Sequence, residues 1–178
     1  MNAIDDRGGP VGGAPLLDLH GLTKRFTGNL ALDRVDVDVR RGEVHALLGQ
    51  NGAGKSTLIK ILAGVYAADA GEVRFAGRAV HPGSEKLPIA FIHQDLGLVE
   101  WMTIAENVAI QTGYPRSSLG LIAWRQVRRA AGEALSIMGS DLDPDARVST
   151  LPAAERSLVA IGRALAVQSD ILVLDEPT

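Results

Sequence analysis

Eight consecutive residues, Gly49-Gln50-Asn51-Gly52-Ala53-Gly54-Lys55-Ser56, set glycines, a lysine and a hydroxyl at fixed spacing between two apolar segments of different period. Before them, Val44, Ala46, Leu47 and Leu48 are nearly continuous in apolar character, which predicts a strand over 43–48 covered on both faces. After them, Leu58, Ile59, Ile61 and Leu62 recur at helical spacing, which predicts a helix over 55–63 that stops at Gly64. Strand, glycine-rich bend and helix in that order are the setting that a phosphate-binding loop, or P-loop, requires. Gly49, Gly52 and Gly54 let the backbone curl until successive N–H groups share one concavity, and the helix adds the positive end of its dipole. Such a cavity fits the polyphosphate of ATP. Lys55 is expected to reach the β- and γ-phosphates and Ser56 to ligate Mg²⁺, with Asn51, Ala53 and Thr57 completing the nucleotide-contacting run. The plain alternative, a glycine-rich turn beside a surface lysine, leaves both flanks unexplained.

Short apolar runs alternate with helical periods from Leu16 onward, the mark of an α/β domain. Val35, Val37 and Val39 alternate with Asp36, Asp38 and Arg40 as in a half-buried strand, and Arg41-Gly42 supplies a turn. Strands are also predicted over 71–77 and 89–93. Residues 103–139 read as mostly helical, with Val127, Ala131, Leu135 and Met138 on one face, and a helix over 152–168 is expected to turn Leu158, Ile161 and Leu165 inward. The last strand, Ile171-Leu172-Val173-Leu174, ends in Asp175-Glu176, which puts two acids at the carboxyl end of a parallel strand, where open α/β sheets bind ligands. This is a Walker B arrangement: Asp175 is expected to hold Mg²⁺, and Glu176 to polarise the attacking water as general base. Acids after a strand are, taken alone, more often a solvated strand end; the P-loop upstream favours the chemical role.

Composition narrows the partners. A net charge of −3, with no basic run, gives nucleic acid no electrostatic attraction. The absence of cysteine excludes disulfides, thiolate metal sites and a catalytic thiol, and makes the cytoplasm the expected compartment. Residues 1–15 hold Gly8, Gly9, Pro10, Gly12, Gly13 and Pro15 without the basic start and apolar stretch of a signal peptide, and are expected to be a disordered tail. No stretch approaches the roughly 20 apolar residues of a membrane-spanning helix, so work at a membrane would go through another chain.

With both acids and the P-loop in order, the sequence resembles the ATP-binding cassette (ABC) ATPases over 16–178. The run Arg41-Gly42-Glu43-Val44-His45-Ala46-Leu47-Leu48-Gly49, then Lys60-Ile61-Leu62-Ala63-Gly64-Val65-Tyr66, Ile92-His93-Gln94-Asp95-Leu96 and Ala105-Glu106-Asn107-Val108, resembles bacterial sugar-importer ATPases that fuse two cassettes. The resemblance implies a RecA-like P-loop NTPase core with an N-terminal antiparallel β subdomain and a helical subdomain near 95–150. It implies that Phe26 stacks on adenine, the alternative being a core phenylalanine. It gives Gln94 the role of sensing Mg²⁺ and the γ-phosphate, and sets Leu98, Trp101 and Met102 near transmembrane permease subunits. It also implies pairing with a second cassette, an indirect link to a solute-binding protein, and a peripheral position on the inner face of the cell membrane.

Two departures stand out. Leu151-Pro152-Ala153-Ala154-Glu155 occupies the place of the family signature, where a serine and glycines grip the γ-phosphate held by the opposite cassette; proline and alanine supply no hydroxyl. One composite ATP site is thus expected to be weak or silent, although Glu155 agrees with the sugar subgroup. The family pattern also continues past Thr178 into a dimer-crossing loop and a switch histidine, and His20, His45, His81 and His93 all precede the Walker B acids, so the chain is expected to be a fragment lacking the C-terminal part of the cassette. The readings that stay open are an energy-coupling ATPase of a carbohydrate importer, a nucleotide-binding module without turnover, and a soluble cassette acting on ribosomes or DNA, which predicts basic insertions. A P-loop kinase would leave the string from Gln94 to Glu176 unexplained.

Overall fold

The computed structural model describes residues 14–85, 87–92, 95–167 and 169–175. The tail expected over 1–15 lies outside them apart from Ala14 and Pro15. The chain forms two compact units, 1–87 and 88–178.

In the first unit, strand β1 (Leu17–Phe26) and strand β2 (Asn29–Val39) form an antiparallel hairpin closed by Phe26 opposite Asn29. Strand β3 (Ala70–Phe75) pairs with the other edge of β1, and strand β4 (Arg78–Val80) completes the order β2-β1-β3-β4. Leu17, Leu19 and Leu22 are all buried although the last breaks the alternation. A bulge at Gly21, with φ 60°, shifts the register between Leu19 and Leu22 and returns Leu22 to the inner face. Asp36 Oδ1 fixes that bulge by accepting from the Gly21 amide at 2.6 Å. Gly71 is required opposite it, because a Cβ there would lie 2.6 Å from the Gly21 carbonyl oxygen. Val35, Val37 and Val39 are half-buried and Asp36 and Asp38 exposed, as their alternation predicts. The strand expected over 71–77 instead turns at Ala76-Gly77, with φ 49° and 79°, the paired left-handed conformation of a tight hairpin, and β4 follows.

Helix α1 (Lys55–Leu62) buries Leu58, Ile59, Ile61 and Leu62, and Gly64, with φ 74°, ends it as expected. The segment 43–48 departs from its prediction. It forms no strand, and Val44 is 89% and Leu48 57% exposed. An apolar run becomes a buried strand only when neighbouring strands supply a ladder, and none pairs with 43–48 among the described residues.

The second unit holds a parallel pair, β5 (Ile89–Ile92) and β6 (Ile171–Leu174), in register from Ile89 opposite Ile171 to Ile92 opposite Leu174. Helices α2 (Ile104–Thr112), α3 (Trp124–Ser136) and α4 (Ala153–Leu165) accompany it, with a 3₁₀ turn at Val148–Thr150. Thr103 caps α2 through a reciprocal box with Glu106. The section 103–139 is helical at both ends but not between, because Gly113 leaves the helix with φ 90° and Pro115 disfavours helical backbone at its predecessor. Val127, Ala131 and Leu135 are buried as the spacing predicts, and Met138 is half-buried. Helix α4 is rotated from expectation. Val159, Ala160, Gly162 and Ala164 are its buried residues, while Leu158, Ile161 and Leu165 are only half-buried. Small residues bring its backbone close to its neighbours: Ala160 and Ala164 join Ala90 and Ile92 of β5, and a Cβ at Gly162 would lie 3.2 Å from Met138 Cε. Among the described residues, no helix is long and apolar enough to cross a membrane.

Candidate functional site

The phosphate loop enters α1 through three backbone choices. Gly52 and Gly54 adopt φ 83° and 89°, a region that costs L-residues with a side chain about 1–2 kcal/mol. At Gly52 a Cβ would meet open space, so only the dihedral demands glycine there. At Gly54 a Cβ would also collide with the Ala31 carbonyl oxygen and lie 2.7 Å from Leu32 Cδ2, both in β2. Gly54 is the N-cap of α1, and no side chain caps the helix, which leaves its first amides and its positive dipole end facing the loop. No acid stands in the first turn to neutralise that end. Lys55 folds back across the loop, Nζ donating to the carbonyls of Gly49 at 2.6 Å and Gln50 at 3.1 Å. Ser56 is exposed and Thr57 half-buried on the opening turn, and Asn51 and Ala53 are exposed in the bend. The uncapped amides and the Lys55 ammonium give this bend a positive potential suited to an oxyanion with several negative oxygens.

The approach to the loop is braced by Glu43. Its carboxylate accepts from the Arg40 amide at 2.8 Å and lies 2.9 Å from His45 Nδ1. The hydrogen bond with His45, followed by that from Arg40, holds its carboxyl below the ordinary range. Phe26 lies at the end of β1, 37% exposed rather than in a core. Tyr66 meets it edge-on at 5.2 Å between ring centroids, and Lys24 Nζ stands 5.5 Å from its centroid.

Asp175 belongs to the second unit, directly after β6, where its amide donates to the Ile92 carbonyl at 2.9 Å and extends the parallel ladder by one residue. Gln94 and Glu176 lie outside the described residues. Among the described residues no three acids or histidines gather as a metal cluster.

The loop 95–102 is held by polar side chains to which sequence reasoning assigns no role. Asn107, fully buried on α2, accepts from the Val99 amide at 2.8 Å and donates to the carbonyls of Val99 and Thr103, each at 3.0 Å. Arg163 of α4 donates to the carbonyls of Gly97 and Leu96, both at 2.6 Å, and burial pulls its guanidinium below the ordinary value. Leu98 packs against the core, Met102 is half-buried and Trp101 is 74% exposed. The one legible signal was Asn107 itself, a polar residue among Ile104, Ala105, Val108 and Ala109.

At 151–155, Pro152 is the N-cap of α4 in extended backbone with no side-chain hydrogen bond, and Ala153 is the first helical residue. The helix expected from 152 therefore begins one residue later, since Pro152 has an extended ψ of 161°. Arg156 fastens this entry by donating to the Leu151 carbonyl at 2.9 Å and the Ser149 carbonyl at 3.2 Å, and by pairing with Glu100 at 3.2 Å.

The sequence and the fold are similar to those of known proteins. A ribose import ATP-binding protein of Rubrobacter xylanophilus is 46% identical over 168 residues, 92% of this chain and 33% of its own length. A second ribose import ATP-binding protein of the same organism is 44% identical, covering 97% of this chain and 34% of its own. The chain thus spans about a third of the length of the curated relatives it matches. In structure it is similar to the ADP conformation of an ATP-binding cassette of an ABC transporter, with TM-score 0.77 and 27% identity over 93% of this chain and 70% of that one. A nucleotide-free cassette from an ABC transporter gives TM-score 0.73 and 28% identity over 92% and 70%. The α/β architecture is that of a P-loop NTPase. With residues 32–178 matching the family model described as ABC transporter, the chain belongs to the ABC transporter family.

Proposed function

We propose that this chain is the nucleotide-binding part of an ATPase that powers a carbohydrate importer, with ATP and Mg²⁺ as its ligands. The observation that carries the reading is the uncapped start of α1 behind two left-handed glycines, with the Lys55 ammonium folded across the bend. In it the amides of 52–57 would cradle the β- and γ-phosphates, Lys55 would offset their charge and the Ser56 hydroxyl would ligate Mg²⁺, while the family resemblance also gives Asp175 and Gln94 roles as Mg²⁺ ligands. Phe26 stacks on the adenine. Glu176 takes a proton from water as its oxygen attacks the γ-phosphorus, and the bond to the β-phosphate oxygen breaks to give ADP and phosphate. Sugar import follows from the relatives' names, ribose among them. Permease subunits and a second cassette are the partners, on the inner face of a membrane.

Calorimetric titration of the chain with Mg²⁺-ATP tests the site. Saturable uptake is expected, and Lys55→Met should weaken it at least tenfold with the far-ultraviolet circular dichroism unchanged; equal affinities would remove the assignment. The Pro152 cap favours a second reading, binding with slow turnover, because α4 begins without a hydroxyl to offer a phosphate. Replacing Pro152-Ala153-Ala154 by Ser-Gly-Gly in the assembled transporter should raise hydrolysis, and an unchanged rate would remove that reading's support.

A further inference from the structure

Helix α1 is tied to the β1–β2 hairpin from both of its ends. At its start, Gly54 stands against the Ala31 carbonyl and the Leu32 side chain of β2, which leave no room for a Cβ. Beyond its far end, the amides of Val65 and Tyr66 donate to the Lys60 carbonyl at 2.8 and 3.2 Å, and the chain runs back to β1. Asp69 fastens this return segment to the strand. Its amide donates to the Thr23 carbonyl at 2.9 Å, and its carboxylate accepts from the Arg25 amide at 2.6 Å and from Lys24 Nζ at 2.9 Å.

The return segment brings Tyr66 directly, and Lys24 through Asp69, onto Phe26 at the end of β1. Tyr66 is half-buried and meets the Phe26 ring edge-on, with 5.2 Å between centroids and 72° between ring planes. Lys60 of α1 in turn sets its ammonium 5.6 Å from the Tyr66 centroid, and Lys24 sets its own 5.5 Å from that of Phe26. A phenylalanine 37% exposed at a strand end samples several rotamers unless its neighbours choose one. An edge-on aromatic partner and a cation within about 6 Å of the ring make that choice. A flat base gains most from a ring already in the required plane, because ordering a loose side chain on binding subtracts from affinity.

We propose that Tyr66 is a positioning residue for nucleobase recognition, holding the Phe26 ring in the orientation in which adenine stacks. The inference rests on the reading of Phe26 as the adenine-stacking residue. Because α1 carries the phosphate loop at one end and leads into Tyr66 at the other, the same helix sets the base site and the phosphate site relative to each other. The segment after α1, and not the strand end alone, then decides how much the base adds to affinity.

Calorimetry with two probes separates base from phosphate: Mg²⁺-ATP, and Mg²⁺ with inorganic triphosphate, which has no base. Tyr66→Leu and Tyr66→Met each replace the ring by apolar volume. Both should weaken Mg²⁺-ATP binding about fivefold, the scale of an edge-to-face aromatic pair. Inorganic triphosphate should bind both variants as it binds the parent, which also certifies their fold. Tyr66→Phe keeps the ring and should bind ATP as the parent does. Phe26→Leu should weaken ATP at least as much, and adding Tyr66→Leu to it should cost nothing more, because Tyr66 acts through that ring. Loss of ATP affinity in Phe26→Leu with none in either ringless Tyr66 variant overturns the inference and leaves the stacking reading intact. Parent affinity in Phe26→Leu overturns the stacking reading and the inference with it. Equal losses for ATP and triphosphate in both ringless variants, or losses that add in the double variant, overturn the positioning role and assign Tyr66 to packing or to its own contact with the base.

Discussion

Gly52 and Gly54 share a dihedral class but not a surrounding, and substitution separates the two demands. Gly52→Ala meets only the left-handed penalty and should lower stability by about 1–2 kcal/mol. Gly54→Ala adds a collision with β2 backbone and should cost about 3 kcal/mol or more, read as the difference in urea midpoints. Glu43 gives the site a pH signature. Its carboxyl is depressed in the folded chain, so the stabilisation is complete above the ordinary carboxylate pKa and is lost as pH falls through the depressed value. Glu43→Gln should therefore unfold earlier than the parent at neutral pH, and the gap between the two midpoints should close in acid. Of this chemistry the sequence displayed the residue types, because a phosphate loop is written in adjacent letters. It could not display why Gly54 is obligatory, since Ala31 and Leu32 come from a different element.

Among elements, the loop 95–102 depends on anchors from two helices. Asn107→Ala removes three hydrogen bonds from a buried position and strands the Val99 amide and carbonyl, at a cost of about 2–4 kcal/mol. Amide exchange of Val99 should quicken in the variant while that of Leu19, in the other unit, stays as it was. Elements whose stability is set by their own apolar stripe were legible: α1, α3 and β2 follow their periodicity. Where a neighbour decides, the period misled. Helix α4 presents Ala160, Gly162 and Ala164 inward because close approach to β5 and α3 outweighs the burial of Leu158 and Leu165. The Gly113 and Pro115 pair did announce the break between α2 and α3.

At the scale of the whole molecule each unit buries apolar residues of its own. The clusters around Ile104 and Val159, around Ala105 and Val127, and around Ala90 and Ala164 all lie in 88–178, whereas Leu17, Leu19, Leu22 and Leu32 are buried in 1–87. The same division limits what sequence reading delivers for the site, because the P-loop and Asp175 belong to different units and their spacing along the chain carries no distance. The uncovered run 43–48 has a further outcome. Among the described residues no strand pairs with 43–48, and Val44 and Leu48 are exposed, so an extended peptide of matching hydrophobicity finds there a template onto which it can zip, and crowding of this chain with itself favours fibrous growth from that place.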